Sequence, residues 1–153
     1  MKDQIFVALA TGAALAAAAA VFSPPAHAMA ADGLSQQTAP SGVTYIAGGV
    51  GQGQVDAMHA MRGDYNLRMT FARAHTGDYL ADIHVRIEDM HGKKMVDTLA
   101  PGPLFYARLP DGTYRVLSTF GAQQQSREVT IGKGHPRELV LYFGPSSQAA
   151  TTG

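Results

Sequence analysis

The sequence predicts an all-β fold: a single antiparallel β-sandwich of about seven strands with one short N-terminal helix. Three observations carry that expectation. First, two stretches alternate without error, Tyr65, Leu67, Met69 and Phe71 against Asn66, Arg68 and Thr70, then Ala81, Ile83, Val85 and Ile87 against Asp82, His84, Arg86 and Glu88. A period of two is that of a strand with one buried face. Second, clusters of Gly, Pro, Asn, Asp and Ser interrupt such runs at short, regular intervals. Third, residues 104–116 read as a strand, a tight turn at Pro110-Asp111-Gly112 and a returning strand, the pattern of a β-hairpin.

Taken in order, the chain begins with Lys2 and an Ala-rich apolar run over residues 5–22. Ser23-Pro24-Pro25 and the small-x-small site Ala26-His27-Ala28 follow. Residues 1–28 therefore read as a secretory signal peptide, which implies a periplasmic or secreted protein that is not integral to the membrane once processed. Residues 29–42 are small and polar without a period and read as a flexible lead-in. The domain itself is expected over residues 43–143, opening with the β-type run Val43-Thr44-Tyr45-Ile46-Ala47.

A glycine-rich stretch, Gly48-Gly49-Val50-Gly51-Gln52-Gly53, precedes a helix over residues 54–62, where Val55, Met58 and Met61 keep near-helical spacing and Gly63 is placed as a C-terminal cap. Strand, glycine loop and helix invite a nucleotide-binding reading. The spacing opposes it, because Gln54 stands where the third glycine of the dinucleotide fingerprint belongs. Further strands are expected at 95–99, 127–131 and 138–143, residues 121–125 are expected to be a polar loop, and residues 144–153 read as a disordered tail.

Composition bounds the function classes. A chain of 153 residues with 46% hydrophobic content can bury one core. Twelve Lys and Arg against twelve Asp and Glu leave no net field to recruit nucleic acid. The sequence contains no Cys, so the core stands without disulfides and thiol chemistry is excluded.

The segment from Ala81 to Ile131 resembles the carboxypeptidase regulatory-like domains, whose fold is a transthyretin-like (prealbumin-type) sandwich. The residues that carry the likeness are Ile83-His84-Val85-Arg86-Ile87-Glu88-Asp89, Gly92, Leu109-Pro110-Asp111-Gly112-Thr113-Tyr114-Arg115-Val116, Gly121 and Val129-Thr130-Ile131. The chain departs from the common Gly-x-Phe-x-Phe strand by offering Gly102-Pro103-Leu104-Phe105-Tyr106. The resemblance implies a non-catalytic module without cofactor; the expected partner is a protein or cell-envelope component, with a second copy of the chain as the alternative. A transthyretin-like hydrolase ends in Tyr-Arg-Gly-Ser; here the corresponding run is Tyr142-Phe143-Gly144-Pro145-Ser146, which lacks the Arg.

Two sets of residues are candidates for function, and no residue is assigned a catalytic role. Tyr106, Leu117 and Tyr142 fall on the side of their strands opposite the core residues and form a candidate binding surface, Tyr offering both buried area and a hydroxyl. Met58, His59 and Met61, with Met90 and His91 (and Met95 nearby), carry the thioether and imidazole donors that suit copper and form the alternative, a metal site. The plainer account of Met58 and Met61 is packing of the helix on the sheet. Arg68, His84 and Arg86 are expected on the outward face of adjacent strands, in reach of an anion or of the neighbouring Asp82 and Glu88.

Because Ala26 and Ala28 occupy the small-residue positions of the cleavage site, the mature chain is expected to start at Met29. Intact-mass measurement of the exported protein checks this: retention of residues 1–28 would make it an anchored protein.

Overall fold

The computed structural model describes residues 34–144, so the leader, the start of the lead-in and the tail beyond Gly144 lie outside the described residues. The strands are β1 (Gln37–Thr38), β2 (Thr44–Gly48), β3 (Leu67–Arg73), β4 (Ile83–Asp89), β5 (Lys94–Ala100), β6 (Leu104–Arg108), β7 (Gly112–Phe120), β8 (Gln123–Ile131) and β9 (Arg137–Phe143). A helix, α1 (Gln52–Met61), runs into a 3-10 turn over Arg62–Asp64. The strands form two sheets, one in the order β1-β2-β6-β3-β9 and the other β5-β4-β7-β8. All pairs are antiparallel except β3 with β9. The all-β sandwich is thus the fold.

Between the sheets lies the main core. Leu67, Met69, Phe71, Phe105, Leu141 and Phe143 from the first sheet meet Ile83, Val85, Ile87, Val96, Val116 and Ile131 from the second, all almost fully buried. Each of these positions keeps the parity its strand's alternation requires. The rings of Tyr45 and Phe105 stack at 5.6 Å, and those of Phe120 and Phe143 tilt together at 5.9 Å.

The stretch around Pro110 is not a hairpin. β6 pairs with β2 and β3, whereas β7 pairs with β4 and β8, so the chain crosses from one sheet to the other through an arch. Phe105 and Ala107 point inward from one side and Tyr114 and Val116 from the other. Two side chains hold the arch. The Tyr114 hydroxyl donates to the Pro110 carbonyl at 2.7 Å, and the Asn66 side chain donates to the Leu109 carbonyl at 2.7 Å while accepting from the Leu109 N–H at 2.8 Å. Proline, Asp and Gly reverse a chain locally in either case; which strand then receives the backbone hydrogen bonds is decided by these distant partners.

A second layer covers the outer face of the first sheet. Leu34, Ile46, Met58, Tyr65, Leu104 and Tyr106 form a separate buried cluster, against which Val55, Ala57 and Met61 pack. The lead-in is therefore ordered from Leu34 on: β1 adds to β2, and Leu34 is 2% exposed beneath the helix layer. Gly63 does not cap α1, since the helix continues as a 3-10 turn. At its entrance, Gly51 adopts φ 81° as N-cap residue, and the Gln54 side-chain oxygen accepts from the N–H groups of Gly49 and Val50 at 3.1 Å each. The residue that breaks the dinucleotide fingerprint thus occupies the amides that such a loop would offer a phosphate. Gly102 packs against the Gly48 carbonyl so closely that any side chain there would collide with it.

Tyr106, expected on an exposed binding surface, is 5% exposed and belongs to the layer under α1, whereas Tyr142 is 53% exposed. Tyr106→Ala should cost about 3 kcal/mol or more, as for a large buried ring. Tyr142→Ala should fall within about 0.5 kcal/mol of the wild type. Chemical denaturation of the two single variants checks the difference.

Candidate functional site

Three connections converge at the end of the sandwich where the arch lies. They are Gly63 to Asn66 leading into β3, the arch itself, and the β8–β9 turn, Gly132-Lys133-Gly134-His135-Pro136, in which Gly134 has φ 73°. Asn66 joins them. Its N–H donates to the Ala107 carbonyl at 3.2 Å, its carbonyl accepts from Arg137 at 2.8 Å, and its side chain holds Leu109. The space enclosed is an open cleft of about 350 Å³, lined by Asp64, Tyr65, Arg68, Arg108, Asp111, Lys133 and His135 among others. A second cleft of about 370 Å³, lined by Ser41, Thr44, Met95 and Pro110, also reaches Arg108, which therefore sits between the two.

Charge is distributed unevenly around the cleft. On its helix side Glu138 accepts from Arg62 at 2.6 Å and from Arg68 at 2.9 Å, tying the end of α1 to β3 and β9. The Arg68 hydrogen bond holds the Glu138 carboxyl below its usual range, with the charges of both arginines adding to it and partial burial opposing. Arg68 also donates to the Arg62 carbonyl at 2.9 Å. By contrast, Arg108 and Lys133 form no ion pair among the described residues, nor do Asp64 and Asp111. The cleft therefore keeps two cations and two carboxylates available to a polar ligand.

The structure separates the residues that the sequence grouped. Tyr106 lies beneath α1, Leu117 is half-buried on the outer face of the other sheet, and Tyr142 is exposed on β9, so the three form no common surface. The metal-donor set is likewise divided. Met58 is fully buried in the helix layer, Met61 packs against the same layer, and His59 is exposed; Met90 and His91 are exposed in the turn between β4 and β5, on the other sheet, where Met95 belongs to the main core. Among the described residues no three His, Asp or Glu side chains gather as metal ligands would. Arg68 also belongs to a different sheet from His84 and Arg86, which pair with Asp97 and Glu88 at 2.6 Å each. Lys94 joins Asp97 at 2.7 Å and is the largest influence lowering its pKa.

Sequence reasoning passed over Arg108, Lys133, His135 and Asn66. The available signal was an Arg at the polar end of a core strand and a Gly-Lys-Gly turn, both ordinary surface features until the fold brings them together. No protein-family model matches the chain, and no curated protein matches it. Among the described residues no helix is long and apolar enough to cross a membrane.

Since Glu138 titrates lower in the folded protein than in the unfolded chain, its contribution is complete above the ordinary carboxylate pKa and is lost as pH falls through the lowered value. Glu138 is more than half exposed, so the contribution is about 1 kcal/mol or less. Glu138→Gln should lower stability at neutral pH and converge with the wild type in acid, which denaturation at several pH values measures.

Proposed function

We propose that this protein is a non-catalytic binding module of the cell envelope, of the carboxypeptidase regulatory-like type. It engages a carboxylate-bearing envelope polymer through the cleft beside the arch. The export assignment rests on the signal-peptide pattern of residues 1–28, and the family assignment on the Leu109-Pro110-Asp111-Gly112-x-Tyr114-x-Val116 run. The observation that carries the binding reading is the pair Arg108, at the end of β6, and Lys133, in the β8–β9 turn, cations without an acidic partner among the described residues, which Asn66 holds at one cleft through Leu109 and Arg137. A guanidinium offers a carboxylate two parallel hydrogen bonds, and an ammonium adds a movable charge. Asp64 and Asp111 line the same space, which suits a ligand bearing both signs of charge and opposes a simple polyanion. Sites of this kind fall on loops because the paired strands beneath supply rigidity while the loops supply variation.

The test is co-sedimentation of the purified protein with peptidoglycan sacculi. Wild-type protein is expected to pellet, with binding weakened by salt. Arg108→Ala combined with Lys133→Ala should reduce the bound fraction at least about tenfold, the loss of two charge-assisted contacts. Lys93→Ala, in the β4–β5 turn, should leave it unchanged. Equal binding by the double variant would remove the cleft from consideration, and absence of wild-type binding would remove the polymer.

A further inference from the structure

The β9 strand ends the first sheet, and its sequence is strongly apolar. Leu139-Val140-Leu141-Tyr142-Phe143 is an uninterrupted apolar and aromatic run, and Val140 and Tyr142 are about half exposed on the outer face. Among the described strands β9 pairs only with β3, so its other edge carries backbone groups that no strand bonds. An edge of that composition adds further strands readily unless something blocks it.

Two side chains occupy that edge. The Phe143 carbonyl accepts from the Ala74 N–H on the β3 side at 2.7 Å, while the backbone groups of the flanking Tyr142 and Gly144 face the other way. There the Gln125 amide donates to the Tyr142 carbonyl. Gln123 bonds Gly144 twice, donating to its carbonyl and accepting from its N–H at 3.1 Å. A glutamine carboxamide carries the same donor and acceptor as a peptide unit, so these contacts reproduce what a neighbouring strand would provide. Both glutamines come from β8, at positions paired with Phe120 and Ser118. That parity directs them across the seam between the sheets, where an apolar residue would leave the β9 backbone bare.

We propose that Gln123 and Gln125 form an amide latch that prevents a second copy of this chain from pairing with β9. The excluded partner is a second copy because β9 is self-complementary. Antiparallel pairing centred on Val140 sets Leu139 opposite Leu141 of the other copy and Glu138 opposite its Tyr142, with no like charges facing each other. The latch joins the first residues of β8 to the last of β9, at the opposite end of these strands from the turn that lines the proposed ligand cleft, and is independent of it.

The experiment compares the molar mass of wild type, Gln123→Ala/Gln125→Ala, and that double variant with Val140→Lys added, by size exclusion with light scattering. The wild type is expected to be a monomer, and the double variant to at least double its mass while keeping a cooperative thermal transition. The added Lys should return it to monomer, because a charge on the edge blocks strand addition without restoring any hydrogen bond. An unchanged mass in the double variant overturns the proposal. So does a wild-type dimer that Val140→Lys dissociates. Loss of the thermal transition, with aggregation that Val140→Lys leaves in place, also overturns it by showing that the glutamines hold the fold together.

Discussion

The arch at Leu109 to Gly112, one of four places where the chain passes between the sheets, is the constraint on which the molecule depends, since it sets β6 and β7 face to face. Its geometry is over-determined. Asn66 supplies both hydrogen bonds to Leu109, and Tyr114 returns a hydroxyl to Pro110. The Leu109 N–H and carbonyl and the Pro110 carbonyl thereby have partners, as burial demands. With the arch in place, the apolar sides of β6 and β7 face each other, and the rest of the two sheets assembles around that contact. The same Asn66 fixes the start of β9 through Arg137 and thereby the turn that carries Lys133. Fold and candidate site share one residue.

The covering layer explains how a chain with apolar residues on both sides of its later strands avoids a large exposed patch. α1 and Leu34 close over Ile46, Leu104 and Tyr106, leaving Val140 and Tyr142 outside at the β9 end. Desolvation in this layer raises the Tyr65 and Tyr106 hydroxyl pKa values above the ordinary tyrosine range. The tight approach of Gly102 to Gly48 and the Gln54 cap set where the helix begins. A glycine loop that looks like a phosphate cradle in sequence is a self-capped helix entrance in the fold.

The two open sides of the sandwich are managed by polar side chains. Ser41 donates to the Met95 carbonyl on β5 at 2.5 Å, on the side where β1 and β2 lie, and the glutamines of β8 serve β9 on the other. Backbone groups at sheet edges are thereby satisfied by this chain's own hydroxyl and amides in place of a neighbour's backbone.

By itself the sequence determined the sandwich, the inward residues of β3, β4, β6 and β7 and the single helix, because strand and helix periods are local properties of side-chain order. It concealed the first part of β8, whose first inward positions are Gln123 and Gln125, although the strand at 127–131 was legible; polar residues at core parity read as a loop until an opposite edge is there to accept them. Tertiary structure alone decided that Pro110 turns an arch instead of a hairpin, that Tyr106 lies beneath α1, and that the expected binding trio and metal-donor set are dispersed. It also decided that Arg108 and Lys133 meet at one cleft. The physical reason is common to all of these. Parity fixes which way a side chain points from its own strand, but the partner it meets depends on contacts between residues far apart in the chain, and no local period encodes them.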